Sequence, residues 1–208
     1  MKRHLRRIAL VAFAVVCVYA WGIVTDAQTL QNELLRLHVV GASDSQEDQD
    51  VKLLVRDAVL QSLEEGLRDL ADVDAACDYV ARMLPQVEAA ANRCLAAAGF
   101  DDTVSVSLTE EAFPTREYDT FSLPAGVYKA LRVVIGEGEG KNWWCVVFPQ
   151  LCMGTDEDFV ETASVAGLSP ELTETLEGDY EVRFWLLEKF GELKNWFLDG
   201  SEWGRIVI

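Results

Sequence analysis

The stretch that decides the fold is VYKALRVVIGEGEGKNWWCVVF, residues 127–148. Its two ends, residues 127–135 and 143–148, are rich in β-branched and aromatic side chains, which is typical of strands. The sequence GEGEGKN between them, residues 136–142, supplies the glycines that a tight hairpin loop requires. This stretch therefore predicts two strands joined by a hairpin.

Two further strands are predicted upstream of the hairpin. Residues 34–40 alternate between aliphatic side chains that face a core and the oppositely directed Arg36 and His38. Residues 104–108 alternate in the same way between apolar residues and serines. Both segments are expected to be half-buried.

Two helices are predicted between these strands. Apolar residues recur with helical spacing over residues 46–68 and again over residues 72–98. Asp44 followed by Glu47 predicts a capping box at the start of the first helix. Pro85 interrupts the second pattern, so we expect a kink or two abutting helices there.

The order of elements indicates the fold class. A strand, two helices and three strands predict an α+β fold, with a small, mostly antiparallel sheet and two long helices packed on one face. A C-terminal amphipathic helix is expected over residues 182–198. Residues 154–181 carry nine Asp or Glu and no Lys or Arg, so we expect an exposed, variable acidic segment there.

The N-terminus carries an export pattern. Residues 2–7 contain four Lys or Arg, and residues 8–24 form an unbroken apolar run. This order keeps the N-terminus in the cytoplasm and sends the rest of the chain across the membrane. Both a cleaved signal peptide and an uncleaved membrane anchor fit residues 1–27. We therefore expect a signal or anchor helix followed by one exported domain, residues 28–208.

The charge balance disfavours several function classes. The formal net charge is −17, and residues 1–27 carry +3 of it, so the predicted exported domain carries −20. Nucleic acid is not expected as a partner, because its phosphates require clustered cations. The only two histidines are His4 and His38. Catalysis and metal sites based on histidine are therefore not expected, and neither is a cofactor.

Export makes disulfides chemically accessible to this chain. Cys145 and Cys152 flank Pro149, where a turn can bring them together, and they are the better candidate pair. Cys77 and Cys94 lie in one helical pattern, about 25 Å apart along its axis if the helix is continuous, which is too far for a bond. Small buried thiols remain the alternative for Cys145 and Cys152.

The glycine-rich loop is open to three interpretations. Its glycine spacing is one residue short of the phosphate-loop pattern, and Asn142 stands where that pattern needs Ser or Thr. Nucleotide binding is therefore disfavoured. Glu137 and Glu139 are two residues apart and can share a face, so they form a candidate pair for cation binding or acid–base chemistry. A solvated hairpin is the favoured interpretation.

Two tryptophans follow this loop. Trp143 and Trp144 point to opposite sides of a strand, so one can fill the core while the other is exposed. An exposed tryptophan beside the acidic loop is a plausible anchor for a protein contact. The alternative is that both rings are buried under the C-terminal helix. Glu137, Glu139, Trp143 and Trp144 are accordingly our hypothesis for a partner-binding surface.

Three segments together resemble stage II sporulation protein R of endospore-forming bacteria. They are LRLHVVGASDSQEDQDVKLLVRDAV, FSLPAGVYKALRVVIGEGEGKNWWCVVFPQLC and VRFWLLEKF. The resemblance covers most of residues 33–153 and returns near residues 182–190. The combination of these motifs with an N-terminal export segment is specific.

The resemblance implies a signalling function in sporulation. Proteins of that family are exported from the forespore into the space between its membrane and that of the mother cell. There they activate a membrane-embedded aspartic protease that cleaves the precursor of the mother-cell sigma factor E. The resemblance implies an activator that carries no established catalytic site of its own. The competing classes are an exported cell-wall hydrolase that uses the pair Glu137 and Glu139, and a membrane-anchored structural module.

Overall fold

The computed structural model describes residues 2–118 and 122–149. The predicted acidic segment 154–181, the predicted helix 182–198 and Cys152 lie outside the described residues. The elements are α1 (Lys2–Glu33), β1 (Leu35–Val40), α2 (Gln46–Leu67), α3 (Val73–Ala97), β2 (Val104–Phe113), β3 (Arg116–Glu117), β4 (Ser122–Leu123), β5 (Gly126–Ile135) and β6 (Asn142–Phe148).

The centre of the fold is a four-stranded sheet with the strand order β2-β5-β1-β6. β2 pairs with β5 and β6 pairs with β1 in antiparallel orientation, whereas β1 and β5 are parallel. β3 and β4 form a separate two-stranded ribbon. The predicted α+β class with a mostly antiparallel sheet and long helices is confirmed, and the parallel pair at its centre makes the sheet mixed.

One face of the sheet is covered by α2 and α3. The predicted alternation of β1 is confirmed, since Leu35, Leu37 and Val39 pack into the same buried cluster as the apolar sides of both helices. Val55 of α2 and Val80 of α3, for example, are fully buried in this cluster. This layer of aliphatic residues forms the main hydrophobic core and fixes the register of the central strands.

The helix boundaries follow local capping chemistry. α2 begins after Ser45, whose side chain accepts a hydrogen bond from the backbone N–H of Asp48. The predicted capping box from Asp44 to Glu47 is therefore wrong, because the Ser45 hydroxyl takes the position of the N-cap. α3 is capped by Asp72 and continues through Pro85 as one helix.

A smaller cluster covers part of the other face of the sheet. Leu30 and Leu34, at and just after the end of α1, pack there with Phe113, Tyr128 and other apolar residues. A Cβ atom on Gly126 would lie 2.2 Å from the side-chain nitrogen of Gln31, so glycine allows α1 to approach the start of β5 closely. The last turn of α1 is therefore part of the folded domain.

The remainder of α1 presents apolar side chains to solvent between residues 8 and 21. None of the helices within residues 2–118 and 122–149 combines the length and the apolar character needed to cross a membrane.

Candidate functional site

Two loops meet at one end of the sheet. Because β1 and β5 are parallel neighbours, their carboxyl ends lie side by side, and the loops that follow them, residues 41–45 and 136–141, are adjacent. The Gly140 N–H donates to the Gly41 carbonyl at 2.9 Å, and the Glu139 N–H donates to the Ala42 carbonyl at 3.3 Å. We call these two segments the loop pair.

The close approach within the loop pair depends on glycine. A Cβ atom on Gly140 would lie 2.3 Å from the carbonyl oxygen of Ser43 and 2.9 Å from that of Gly41. Both contacts are with backbone, which cannot swing away as a flexible side chain would. Gly138 has φ +68°, which is unfavourable for residues that carry a Cβ atom. The prediction that these glycines form a hairpin loop is wrong, because β1 lies between β5 and β6 and the two strands do not pair with each other. The loop instead crosses the end of β1, and its glycines permit a backbone-to-backbone contact with the loop that follows β1.

Side chains from α2 and from the loop of residues 41–45 form hydrogen bonds to the backbone of the loop of residues 136–141. Lys52 is only 4 % exposed, and its Nζ atom donates to the Lys141 carbonyl at 2.9 Å and to Gln49 Oε1 at 2.6 Å. Burial lowers the pKa of Lys52. Asp44 Oδ1 accepts a hydrogen bond of 2.8 Å from the Lys141 N–H. The carboxylate that the sequence pattern assigned to a helix cap therefore joins the two loops.

The loop pair presents carboxylates on a fixed backbone. Glu137 and Glu139 are both exposed, and so are Asp44 and Glu47 at the adjoining start of α2. Within the described part of the chain, no group of three or more His, Cys, Asp or Glu side chains could hold a metal ion. Exposed carboxylates on a fixed backbone are suited to recognition of a positively charged surface.

The two tryptophans lie on opposite faces of β6. Trp143 packs against the main core, with the guanidinium carbon of Arg56 4.7 Å from its ring centroid. Trp144 stacks on His38 with a centroid separation of 5.6 Å, and the Arg116 guanidinium lies 3.9 Å from the centroid of its ring. Both rings are half-buried, so the expectation of one core ring and one exposed ring is replaced by two partly covered rings.

A polar network on the second face of the sheet was not predicted from sequence. His38 Nδ1 lies 2.7 Å from Glu111 Oε2, and Arg132 Nη1 donates to Glu111 Oε1 at 2.5 Å. His38 Nε2 lies 2.8 Å from Asn142 Oδ1. Burial alone would raise the pKa of Glu111, but the hydrogen bonds from Arg132 and His38 outweigh it and lower that pKa. This network joins all four strands of the sheet.

Arg36 is a fully buried cation on the same face. Its guanidinium carbon lies 4.1 Å from the Phe113 ring centroid and 5.0 Å from that of Tyr128, and its Nη2 donates to the Tyr118 hydroxyl at 2.7 Å. Burial lowers its pKa. Within the described ranges, its Nε and Nη1 atoms have no hydrogen-bond partner. The contacts with Tyr118 tie the segment around β3 to the sheet.

The described cysteines are in two different states. Cys145 is buried in β6 and is disulfide-bonded. Cys17, Cys77 and Cys94 are free thiols. The pairing of Cys145 with Cys152 stays a prediction, because Cys152 lies outside the described residues.

Comparison with known proteins places this geometry in a family. A family model for stage II sporulation protein R matches residues 31–158, which is more than half of the chain and includes the whole loop pair. The stage II sporulation protein R of Bacillus subtilis (strain 168) is 34% identical over 123 residues, which cover 59% of this chain and 55% of that protein. This chain thus spans about half the length of that relative. No solved structure matches. From the family match and the shared identity together, we conclude that the chain belongs to the stage II sporulation protein R family.

Proposed function

We propose that this chain is an exported signalling protein of endospore formation that acts by binding, not by catalysis. Its partner is a membrane-embedded aspartic protease, which it activates to process the precursor of the mother-cell sigma factor E. Membership of the stage II sporulation protein R family supports the role in sporulation. The single observation that carries the binding role is the loop pair, which holds exposed carboxylates on a backbone fixed by hydrogen bonds.

The direction of the central strands supports this proposal. β1 follows α1 after one residue, and β5 begins where Gly126 meets Gln31 of α1. Both strands run away from that point, and the ten residues of β5 span about 30 Å at roughly 3.3 Å each. The loop pair is therefore at the opposite end of the sheet from α1. If residues 1–27 lead out of or stay in the forespore membrane, the loop pair points toward the mother cell.

The charge of the loop pair defines a partner. The exposed Asp44 joins Glu137 and Glu139 there, and the exposed Glu47 lies beside them at the start of α2. Lys141 is the one exposed cation within the loop pair. A complementary surface on the protease would carry Lys or Arg, which would steer encounter and fix orientation. Binding activates the protease only if the loop pair has a higher affinity for the active state than for the inactive state. In this proposal Trp143 and Trp144 form the base of the contact surface.

The experiment is reconstitution in a bacterium that does not sporulate. The chain, the protease and the sigma-factor precursor are co-expressed, and precursor cleavage is measured on immunoblots. The chain is expressed with and without residues 1–27, since export is part of the proposal. Cleavage that requires this chain and its export segment is the expected result. If the exported, folded chain gives no more cleavage than the protease alone, the proposed function is wrong.

A matched pair of variants tests the surface. Glu137→Gln combined with Glu139→Gln removes two charges without changing side-chain size, and we expect cleavage to fall at least fivefold. Glu65→Gln combined with Asp69→Asn removes the same charge from exposed sites near the end of α2 and should leave cleavage unchanged. A Trp144→Ala variant tests the base of the surface separately. Normal cleavage with the folded Glu137 and Glu139 variant would refute this contact surface and leave the other parts of the proposal standing.

A further inference from the structure

The edge strand β2 is protected along only half of its length. Asn92 of α3 donates from Nδ2 to the Val104 carbonyl and accepts from the Val104 N–H, both at 2.9 Å. Glu88, one turn earlier in α3, accepts a hydrogen bond of 3.1 Å from the Val106 N–H. Side chains of α3 thus occupy the outer hydrogen-bonding positions at the start of β2, where another strand could otherwise pair.

The rest of this edge has no such protection from the residues that the structure describes. The residues of an antiparallel strand point their backbone groups alternately toward and away from the partner strand, so Leu108, Glu110 and Ala112 point outward as Val104 and Val106 do. Among residues 2–118 and 122–149, these outward groups have no hydrogen-bond partner. We call residues 108–112 the open edge. It contains no proline, and Glu110 and Ala112 are exposed.

The negative charge of the open edge disfavours pairing with a second copy of this chain and favours a strand that carries a cation. If a second copy paired antiparallel at this edge, the symmetric register would place Glu110 opposite Glu110 of the other copy, and both chains carry −17. Like charges directly opposite one another destabilise a strand pair. Lys129, the cross-strand neighbour of Glu110 on β5, hydrogen-bonds to Asp74. Glu110 is close enough to Lys129 for their charges to interact, but the Lys129 hydrogen bond goes to Asp74, so Glu110 can also accept a cation from an added strand.

We propose that the open edge binds an extended segment of the partner protein by β-strand addition, with Lys or Arg of that segment opposite Glu110. In this mode backbone hydrogen bonds supply affinity and alternate side chains supply specificity. The inference rests on the proposed function for the identity of the partner. It concerns a second surface, since the open edge lies toward the end of β2 at Phe113, which is opposite Gly126 at the α1 end of the sheet. The loop pair lies at the other end.

Two substitutions at position 110 test the backbone N–H and the side-chain charge separately. Glu110→Pro removes an N–H that points outward, so the ladder between β2 and β5 keeps its hydrogen bonds. Glu110→Ala keeps that N–H and removes only the charge. In the co-expression assay we expect Glu110→Pro to reduce precursor cleavage at least tenfold and Glu110→Ala to reduce it less than threefold. Ala112→Pro is a second variant of the same kind, and circular dichroism checks that each variant is folded.

A direct measurement tests the open edge without the protease. The probe is a blocked eight-residue peptide that alternates threonine or valine with lysine, and amide exchange is followed by NMR. In the free chain the amides of Leu108, Glu110 and Ala112 should exchange fast, and the peptide at millimolar concentration should slow them at least threefold. A peptide with glutamate in place of lysine should have less effect.

The outcomes for this inference and for the proposed function are distinct. Protection of the three amides in the free chain, or no protection by the lysine peptide, would overturn the open edge as a strand-addition site whatever the protease does. Cleavage at the wild-type level with folded Glu110→Pro and Ala112→Pro variants would also overturn it, while the proposed function would stand. Absence of cleavage with the wild-type chain would refute the proposed function alone, and the peptide measurement would then decide the inference.

Discussion

The substitution Gly140→Ala tests whether the two loops contact each other through their backbones. The new Cβ atom would lie 2.3 Å from the Ser43 carbonyl oxygen, 2.7 Å from the Ser43 carbonyl carbon and 2.9 Å from the Gly41 carbonyl oxygen. Overpacking of this kind costs about 1–3 kcal/mol. Separation of the loops would also weaken the hydrogen bond from Gly140 to Gly41, which contributes about 1 kcal/mol. We expect the free energy of unfolding to fall by about 2–4 kcal/mol.

Urea unfolding followed by tryptophan fluorescence and circular dichroism measures this change. The control is Lys141→Ala, which removes an exposed side chain next to Gly140 but keeps the Lys141 N–H and carbonyl that bond to Asp44 and Lys52. The control should unfold within about 0.5 kcal/mol of the wild-type chain, as surface substitutions usually do. If Gly140→Ala unfolds at the same urea concentration as the control, the loops do not approach as described, and the fixed-backbone argument for recognition fails.

Three further predictions concern the edge, the polar network and the disulfide. Asn92→Ala should lower the free energy of unfolding by about 2 kcal/mol in urea titrations, because two hydrogen bonds to Val104 are lost. Asn92→Asp should recover only part of this free energy, because an aspartate cannot donate to the Val104 carbonyl. The pKa of Glu111 is lower in the folded chain than the ordinary value of a glutamate, so its stabilisation is present above that ordinary pKa and is lost as the pH falls through the folded-state pKa. Glu111→Gln should be less stable at pH 7 and should lose less stability on acidification, as pH-dependent melting would show. Cys152→Ser should lower the free energy of unfolding by about 2.5 kcal/mol if Cys145 bonds to it, and a reducing agent should then destabilise the wild-type chain but not the variant.

The local elements were predictable because their signals are local. The alternation in residues 34–40 placed His38 on the face away from the helices, where the structure has it. Apolar spacing placed the two long helices to within a residue or two of α2 and α3. Pro85 was expected to kink the second helix or to divide it into two abutting helices, and the structure has one helix, α3, that continues through it. The effect of a proline on a helix depends on what packs around it, and the local pattern does not contain that information.

Contacts between distant segments escaped prediction. Glu111 meets His38 across 73 positions of sequence, and Lys141 meets Asp44 across 97. Both contacts depend on the parallel pairing of β1 with β5, which brings together strands separated by two helices. Sequence patterns identified the acids Glu137 and Glu139 and the glycines beside them. They did not show that the first loop, through Asp44, fixes the second.

The energy that activation requires argues for two contacts. To move a receptor from 1 % to 99 % active, a ligand must bind the active state about 5.5 kcal/mol more tightly. Two exposed ion pairs, at Glu137 and Glu139, contribute about 0.2–1 kcal/mol each, which is too little alone. Backbone hydrogen bonds along the open edge contribute about 0.5–1.5 kcal/mol each, and three outward-facing residues offer six groups. The open edge can thus supply most of the required difference, provided that the receptor presents its extended segment in the active state only. The loop pair, about 25 Å away at 3.3 Å per residue of β5, would supply orientation, because a fixed acidic surface fits one receptor geometry and not the other.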